Sequence, residues 1–378
     1  MFSTIDPRDR ELARLIVNYS VKAGKNDLVM IEAVGASTLG LAAACAEEAT
    51  RASAAPYIVF TDPQVQRNYL LNAGEDSMKR LAEFELLQMK NTTCYIGLRG
   101  SENIYETADV PKHQLDNFMR IIRQPVHLDV RVNHTRWCVL RYPNPSMAQL
   151  AERSTADFAD FYYSVCLVDY ARMAVNAQAL KKVMERTDRV RLKSPGTDIT
   201  FSIKGIPVVP CCGSHNIPDG ECFTAPVKGT MNGTVQFNTP TAESGTPYDN
   251  IFLRFENGRV VECRGANERQ TKKLTEVLDR DEGARAVGEF AIGFNPLVMT
   301  PMRDILFDEK ICGSFHMALG NAYNDADNGN RSSLHWDLVC IQRPDYGGGE
   351  IWFDDTLIRK DGEFVIDELK GLNPSALT

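Results

Sequence analysis

Hydrophobic and polar positions along the first half of the chain alternate between the spacing of helices and that of strands. Over residues 7–24 the apolar side chains repeat with helical spacing, and Asp6 and Pro7 mark the start of the helix. Short apolar runs bounded by turn residues predict strands between the helices. The predicted helices cover residues 7–24, 39–51, 69–88 and 112–123, and the predicted strands cover 27–34, 55–60, 93–98 and 136–141. This alternation predicts an α/β unit with a mostly parallel sheet.

The pattern changes in the middle of the chain. Residues 143–184 predict two long helices, and the sequence Lys-Ser-Pro-Gly at 193–196 then interrupts the pattern. We therefore predict two domains, an α/β domain over residues 1–193 and a second domain over 194–378.

Alternating residues and turns dominate the second domain. Asn257 and Gly258 lie between two strand-like runs, which is a strong hairpin signal. The predicted strands cover residues 199–203, 233–237, 251–255 and 259–263, and one helix covers 267–278. The second domain is therefore predicted to be α+β with a mainly antiparallel sheet.

Composition and charge narrow the class of protein. The 378 residues are 43% hydrophobic and carry a formal net charge of -8, so the chain has no general attraction to nucleic acid or anionic membranes. No apolar run approaches the ~18 residues of a membrane span. The N-terminal sequence also lacks the basic and apolar regions of a signal peptide.

The ten cysteines are dispersed and lie mostly in apolar runs, without a CxxC pair. This argues against a zinc ribbon or a thioredoxin-like site and fits a reducing compartment. The sequence therefore predicts a cytoplasmic protein.

Two of the six histidines, His316 and His335, lie in the sequences most typical of a site. His335 and Asp337 are two residues apart in an apolar strand-like run, so both project from the same face. The pair suits a divalent metal. On this pattern alone, a simple hydrogen bond on a wetted sheet face is the commoner role of such a pair. His316 lies among small apolar residues, where a histidine is more often a hydrogen-bonded core residue than a metal ligand. If that stretch is helical, two turns bring Tyr323 to its side.

Two glutamates also lie in unusual surroundings. Glu221 follows a Pro-Asp-Gly turn, and Glu289 is flanked by small and apolar residues. A carboxylate buried there needs a paired charge or a metal. For each glutamate taken alone, the sequence favours a strand end that faces water.

Four segments of the C-terminal half, taken together, resemble a known family. In chain order they read NIPDGECFTAP, LDRDEGARAVGEFAIG, ILFDEK followed by FHMALGNAY, and SSLHWDL. They are similar to the thermophilic-type metallo-aminopeptidases, the family of aminopeptidases T and S. The resemblance is specific over about residues 210–340 and looser in the N-terminal half, where RWCVLRYPNPSMAQLA matches best.

The resemblance implies a metal site with named members. Five residues fall on the family's metal-ligand positions, namely Glu221, Glu289, His316, His335 and Asp337. Tyr323 falls on the site tyrosine and Glu309 on a further acidic position, although the stretch between Glu309 and His316 is longer than the family's usual form.

The chemistry implied by the resemblance is hydrolysis of the N-terminal residue of short peptides by metal-activated water. Two divalent ions per subunit, zinc, cobalt, manganese or magnesium, would share a bridging carboxylate. Glu289 or Glu309 would act as general base, and Tyr323 would stabilise the oxyanion. The resemblance also implies a homodimer that admits short peptides with a free N-terminus.

Two other functions compete with this interpretation. His316, His335 and Asp337 by themselves would make the two-histidine, one-carboxylate site of a mononuclear iron ring-cleaving dioxygenase on a related fold. Glu221 and Glu289 favour the hydrolase, because a single-iron site does not need them. The other alternative is an inactive metal-binding or scaffold homologue.

Overall fold

The computed structural model describes residues 5–243 and 245–378. The α-helices are α1 (Pro7–Arg14), α2 (Leu39–Arg51), α3 (Pro63–Asn72), α4 (Glu75–Asn91), α5 (Lys112–Phe118), α6 (Val132–His134), α7 (Pro145–Leu150), α8 (Thr155–Cys166), α9 (Tyr170–Glu185), α10 (Glu268–Leu278), α11 (Ile305–Asp308) and α12 (Pro374–Leu377). Two π-helical segments, Leu15–Ser20 and Met119–Arg131, continue α1 and α5. None of the helices among the described residues is long and apolar enough to cross a membrane.

The strands are short and numerous. They are β1 (Leu28–Val34), β2 (Ala55–Thr61), β3 (Cys94–Arg99), β4 (Arg136–Arg141), β5 (Arg189–Ser194), β6 (Thr197–Ser202), β7 (Val209–Cys211), β8 (Asn216–Ile217), β9 (Glu221–Thr224), β10 (Asn232–Gln236), β11 (Thr241–Glu243), β12 (Thr246–Tyr248), β13 (Phe252–Glu256), β14 (Arg259–Arg264), β15 (Val287–Gly293), β16 (Ser314–Gly320), β17 (His335–Ile341), β18 (Glu350–Phe353), β19 (Thr356–Lys360) and β20 (Glu363–Phe364).

The first of two compact units comprises the described residues up to Leu167 together with Gly213–Ile217. Its sheet has the strand order β2-β1-β3-β4-β8, and every neighbouring pair is parallel. Val29, Ile31 and Ala33 of β1 are fully buried, as expected for a central strand of a parallel sheet covered by helices. The predicted α/β architecture is confirmed.

The second unit comprises Val168–Cys212 and Pro218–Thr378. Its larger sheet has the order β14-β13-β10-β6-β5-β18-β19-β20, and a five-stranded sheet has the order β17-β16-β15-β9-β7. The paired strands of both sheets are antiparallel. The α+β prediction for the C-terminal half is therefore also confirmed.

The division into compact units falls after Leu167, whereas the predicted domain boundary lay between residues 193 and 194. Pro195 and Gly196 form the turn between β5 and β6, where Ser194 pairs with Thr197. The helix α9 and the strand β5 therefore belong to the second unit, and the domain boundary at 193 stays a prediction.

The predicted helix over residues 69–88 is wrong in its bounds, because the structure has two helices there. Asp62 accepts hydrogen bonds from the backbone N–H groups of Gln64 and Val65 and starts α3 earlier than predicted. The backbone is extended at Ala73 and Gly74, which separates α3 from α4. Likewise, residues 143–184 form three helices, α7, α8 and α9, rather than two.

The hairpin predicted at Asn257 and Gly258 is confirmed. Both residues have positive φ, 49° and 79°, as the two-residue turn between twisted strands requires. The turn joins β13 and β14, whose residues Glu256 and Arg259 pair directly.

Candidate metal centre

The five-stranded sheet of the second unit brings together the residues that the sequence predicted as metal ligands. Glu221 is the first residue of β9, and Glu289 lies in β15. His316 lies in the central strand β16, while His335 and Asp337 lie in β17. All five side chains therefore start from four adjacent strands of one sheet.

The strand register places these side chains on one face. Ala318 pairs with Glu289 on one side and with Asp337 on the other, while His316 pairs with Ala291. Directly paired residues of antiparallel strands project from the same face of the sheet. The short side chains of the alanines leave the polar groups of the neighbouring strands facing one another above the sheet.

His316 is held in a defined orientation. Its Nδ1 lies 3.1 Å from the carbonyl oxygen of Glu309, and its Nε2 lies 3.1 Å from Oε1 of Glu289 and 3.4 Å from Oε2 of Glu221. Nδ1–H donates to the carbonyl oxygen and directs Nε2 toward the carboxylates, so Nε2 can donate to Glu289 when it is protonated and can bind a cation when it is not. This is the arrangement typical of a metal-binding histidine.

His335 repeats this arrangement on the neighbouring strand. Its Nδ1 lies 2.9 Å from the carbonyl oxygen of Asn321. Its Nε2 lies 3.6 Å from Oδ1 of Asp337 and 3.9 Å from Oε2 of Glu289. Both histidines therefore present Nε2 to the same group of carboxylates.

The carboxylates also set the electrostatics of the two histidines. Burial lowers the pKa of His316, but the hydrogen bond to Glu289 and the nearby charges of Glu221 and Asp337 outweigh it and raise the pKa to about 9. The pKa of His335 is raised in the same way, because Asp337 and Glu289 outweigh burial. The site therefore has a strong preference for positive charge at its centre.

Three buried carboxylate oxygens indicate that these residues fit a metal ion. Oε2 of Glu221, Oε2 of Glu289 and Oδ1 of Asp337 are buried and accept no hydrogen bond from any described residue. A buried carboxylate oxygen without a partner costs free energy unless a cation compensates it. The ligand atoms of Glu221, Glu289 and His316 lie within 4.8 Å of one another. Mixed imidazole and carboxylate ligands at this spacing fit a divalent ion.

Glu309 reaches the same site despite the longer segment that follows it. It is the residue after α11, and its ligand atom lies within 4.8 Å of those of His316 and Asp337. Gly293 of β15 makes this possible, because a Cβ atom there would lie only 2.9 Å from the carbonyl oxygen of Glu309. The side chain of Glu309 is 15% exposed, compared with 5% for Glu289.

A buried lysine, Lys310, lies within the acidic group. Its Nζ donates to Oε1 of Glu221 at 2.5 Å, and it lies 2.7 Å from Oε1 of Glu309 and 3.5 Å from Oδ1 of Asp219. The lysine side chain is only 1% exposed. Neither Lys310 nor Asp219 was predicted from the sequence as a member of the site. The signal for Lys310 was a lysine placed between an acidic pair and the apolar residues Ile311 and Cys312.

Burial dominates the pKa values of the acidic groups. It raises the pKa of Glu221 and of Glu289, and it raises the pKa of Glu309 to about 7 against the opposing effect of the Lys310 ammonium. The three carboxylates around Lys310 outweigh burial and raise the pKa of the lysine well above its usual value. Lys310 therefore carries a positive charge in this group at neutral pH.

The helical arrangement considered for His316 and Tyr323 is wrong. Residues 314–320 form the strand β16, because they are buried on both faces and pair with β15 and β17. Tyr323 nevertheless reaches the site from the loop after β16. Its ring centroid lies 4.4 Å from that of His335, and the residue is 48% exposed. Desolvation and the nearby carboxylates raise the pKa of Tyr323, so its hydroxyl stays protonated.

The other four histidines belong to the first unit. His113 and His134 are exposed, and the ring of His215 lies 4.6 Å from that of Trp137. His127 is buried, contrary to its polar sequence context, and Arg123 Nη1 lies 3.2 Å from its Nε2.

The chain is similar to a family of metal-dependent peptidases. The family model described as thermophilic metalloprotease (M29) matches residues 6–364. Aminopeptidase T of Thermus thermophilus is 36% identical over 160 residues, which are 39% of this chain and 38% of that protein. Aminopeptidase AmpS of Bacillus subtilis is 31% identical over 160 residues, again 39% of this chain and 38% of that protein. The matched stretch thus spans well under half the length of these relatives.

Two solved structures share the fold. Wild-type AmpT from Thermus thermophilus aligns with a TM-score of 0.80 at 21% identity, over 96% of this chain and 100% of that chain. The 2,5-dihydroxypyridine dioxygenase from Pseudomonas putida KT2440 aligns with a TM-score of 0.63 at 13% identity, over 96% of this chain and 98% of that chain. At these identities the likeness concerns the fold alone.

Proposed function

Because the chain belongs to the thermophilic metalloprotease family (M29), we propose that it is a metal-dependent aminopeptidase that removes the N-terminal residue of short peptides. One observation carries the proposal. His316 and His335 both present Nε2 to buried carboxylate oxygens that have no hydrogen-bond donor among the described residues. Such a set is costly in the folded protein unless a cation is bound.

The proposed ligands are Glu221, Glu289, His316, His335 and Asp337. A divalent ion bound by them would supply Lewis acidity toward a peptide carbonyl and would make water a stronger acid. The number of ions is a separate question. The family resemblance implies two, and Lys310 lies among the same carboxylates.

Two residues of the chain itself have the chemistry to assist hydrolysis. We propose Glu309 as the general base, because it is the most exposed of the three glutamates and its carboxylate can therefore exchange a proton with water. Tyr323 keeps its proton and is half-exposed beside His335, so it can donate a hydrogen bond to an oxyanion that develops on the substrate. Buried acidic groups also attract the ammonium of a free N-terminus.

A mononuclear iron dioxygenase is the second candidate. The observation that favours it is the set His316, His335 and Asp337, which are the two histidines and one carboxylate of such a site. Glu221 and Glu289 on the same sheet face favour the hydrolase, since the iron site does not need them.

We also propose that the protein is a cytoplasmic homodimer. The ten cysteines are free thiols, which supports a reducing compartment. Ile58 and Phe60 of the edge strand β2 are 45% and 47% exposed, and Phe84 of α4 is 58% exposed. An exposed apolar edge strand favours association with another chain. A second copy of this chain is the partner that we propose.

The test of the activity uses protein stripped with a chelator and reloaded separately with zinc, cobalt, manganese or magnesium. Release of free amino acid is measured from unblocked short peptides and from N-acetylated copies. We expect metal-dependent cleavage of the unblocked peptides alone. Asp337→Asn should abolish cleavage, while Asp355→Asn, at an exposed ion pair with Arg189, should not change it. Absence of cleavage with every ion would refute the proposal, and oxygen consumption with ferrous iron would then be measured.

A further inference from the structure

Lys310 carries an inference about the metal site beyond the proposed activity. Its ammonium contacts two of the acidic residues predicted for the metal site, Glu221 and Glu309, and also lies near Asp219. The side chain is 1% exposed, so bulk water does not screen these contacts. The ammonium therefore already neutralises part of the negative charge that a second metal ion would otherwise balance.

The contacts of Lys310 reduce the ligands left for a metal. Oε1 of Glu221 accepts a hydrogen bond from Lys310 at 2.5 Å, so a metal ion at this oxygen would lie next to the ammonium, whereas Oε2, on the side of His316, has no contact with the lysine. Oε1 of Glu309 lies 2.7 Å from the same Nζ. A second dication bound through either glutamate would lie beside the ammonium, and like charges at such a short distance repel strongly in a buried site.

His316 gives an independent reason for a single ion. Three groups of possible ligands lie in this region. The ammonium of Lys310 already contacts Glu221 and Asp219 of the group that includes Cys211, and the other two groups both contain His316. Its Nδ1 already faces the carbonyl oxygen of Glu309, so only Nε2 can bind a metal, and one nitrogen lone pair serves one ion. The two groups thus compete for the same atom.

The remaining groups are enough for one ion. Glu289, His316, His335 and Asp337 supply two imidazoles and two carboxylates, and Oε2 of Glu221 is a further donor. We propose that the ammonium of Lys310 takes the place of a second metal ion, so that each chain holds one divalent ion rather than two. This inference rests on the metal site of the proposed function and replaces the number that the family resemblance implies.

The experiment measures the number of metal ions bound per chain rather than the catalytic activity. Full-length protein is stripped, loaded with excess manganese or zinc, freed of unbound ion, and analysed by mass spectrometry of the metal and by calorimetric titration. We expect one ion per chain. The electron paramagnetic resonance spectrum of the manganese protein should be that of an isolated ion. Two ions per chain, or the spectrum of an exchange-coupled pair, would overturn the inference.

Variants test the role of the lysine itself. Lys310→Met removes the charge at similar length and should raise the count toward two, whereas Lys310→Arg keeps the charge and should keep the count at one. Lys204→Met, at an exposed position, is the matched control and should behave as wild type. A folded Lys310→Met protein that still holds one ion would contradict the role of Lys310. If that variant does not fold, the wild-type count and spectrum decide.

The aminopeptidase activity and the single metal ion can each be refuted without refuting the other. A count of one ion without peptide cleavage by any loaded form would refute the aminopeptidase and leave the inference intact. Cleavage by a form that holds two ions per chain would support the aminopeptidase and refute the inference.

Discussion

His316 and Glu289 lie side by side on adjacent strands, with Nε2 of the histidine 3.1 Å from Oε1 of the glutamate. Both side chains are buried, and the sheet register places Ala291 and Ala318 directly opposite them. The pair is thus fixed by main-chain pairing rather than by flexible loops. A site built on paired strands holds its ligands more precisely than one built on loops.

The first prediction concerns this pair. Glu289→Gln keeps the shape of the side chain but removes its charge, so the site loses a ligand and part of its attraction for cations. We expect metal affinity to fall by about 100-fold or more, because even residues that only support a ligand are worth about 10–100-fold. Calorimetric titration measures the affinity, and the rise in melting temperature on adding metal should also vanish. Glu256→Gln, at an exposed strand end, is the control, and wild-type affinity in Glu289→Gln would contradict the assignment.

The second prediction concerns the space above the sheet. Ala318 lies between Glu289 and Asp337, so Ala318→Val places extra methyl groups where the ligands must approach the ion. We expect weaker metal binding and a loss of about 1–3 kcal/mol in the free energy of unfolding. Met317→Leu changes the next residue, which projects from the opposite face, and should cost less than about 1.5 kcal/mol with metal binding unchanged. Equal metal affinities in the two variants would argue against an ion at this position.

The third prediction concerns the pH dependence of stability in the first unit. Burial and the nearby Arg123 guanidinium lower the pKa of His127 to about 3, although Glu32 opposes them. The unfolded chain has an ordinary histidine pKa of about 6.5 and therefore binds more protons between these two values. His127 should thus reduce stability as the pH falls below about 6.5, by up to about 1.4 kcal/mol per pH unit.

The test compares urea unfolding of wild type and His127→Gln from pH 7.5 down to pH 5. The difference in unfolding free energy between the two proteins separates the effect of His127 from that of Glu85. Burial raises the pKa of Glu85 to about 7, so the effect of Glu85 on stability has the opposite sign. Glu85 favours the folded state at low pH and loses that contribution as the pH rises through about 7. A constant difference between the two proteins over this range would contradict the buried, neutral state of His127.

The fourth prediction concerns assembly. Phe60→Lys places a charge on the exposed edge strand β2, where it should prevent pairing with a second copy. We expect wild type to elute at the mass of a dimer in light scattering and Phe60→Lys to elute as a monomer. Val175→Lys changes a residue of α9 that is 74% exposed and should stay dimeric. A wild-type protein that is monomeric at every concentration would refute the homodimer.

The sequence by itself determined the order of elements and the residue types of the site. Apolar periodicity is a local property, so the parallel sheet of the first unit, the antiparallel sheets of the second and the turn at Asn257 and Gly258 could be predicted. The same-face position of His335 and Asp337 followed from the period of a strand, and the structure places their polar atoms 3.6 Å apart.

Tertiary structure alone decided the rest. Residues 314–320 are too uniformly apolar for periodicity to separate strand from helix, and pairing with β15 and β17 settles the strand. Lys310 is next to Glu309 in sequence, yet its partners Glu221 and Asp219 lie about ninety residues away along the chain. A buried ion pair depends on which distant strands share a sheet face, and this register is a property of the folded chain rather than of any local pattern.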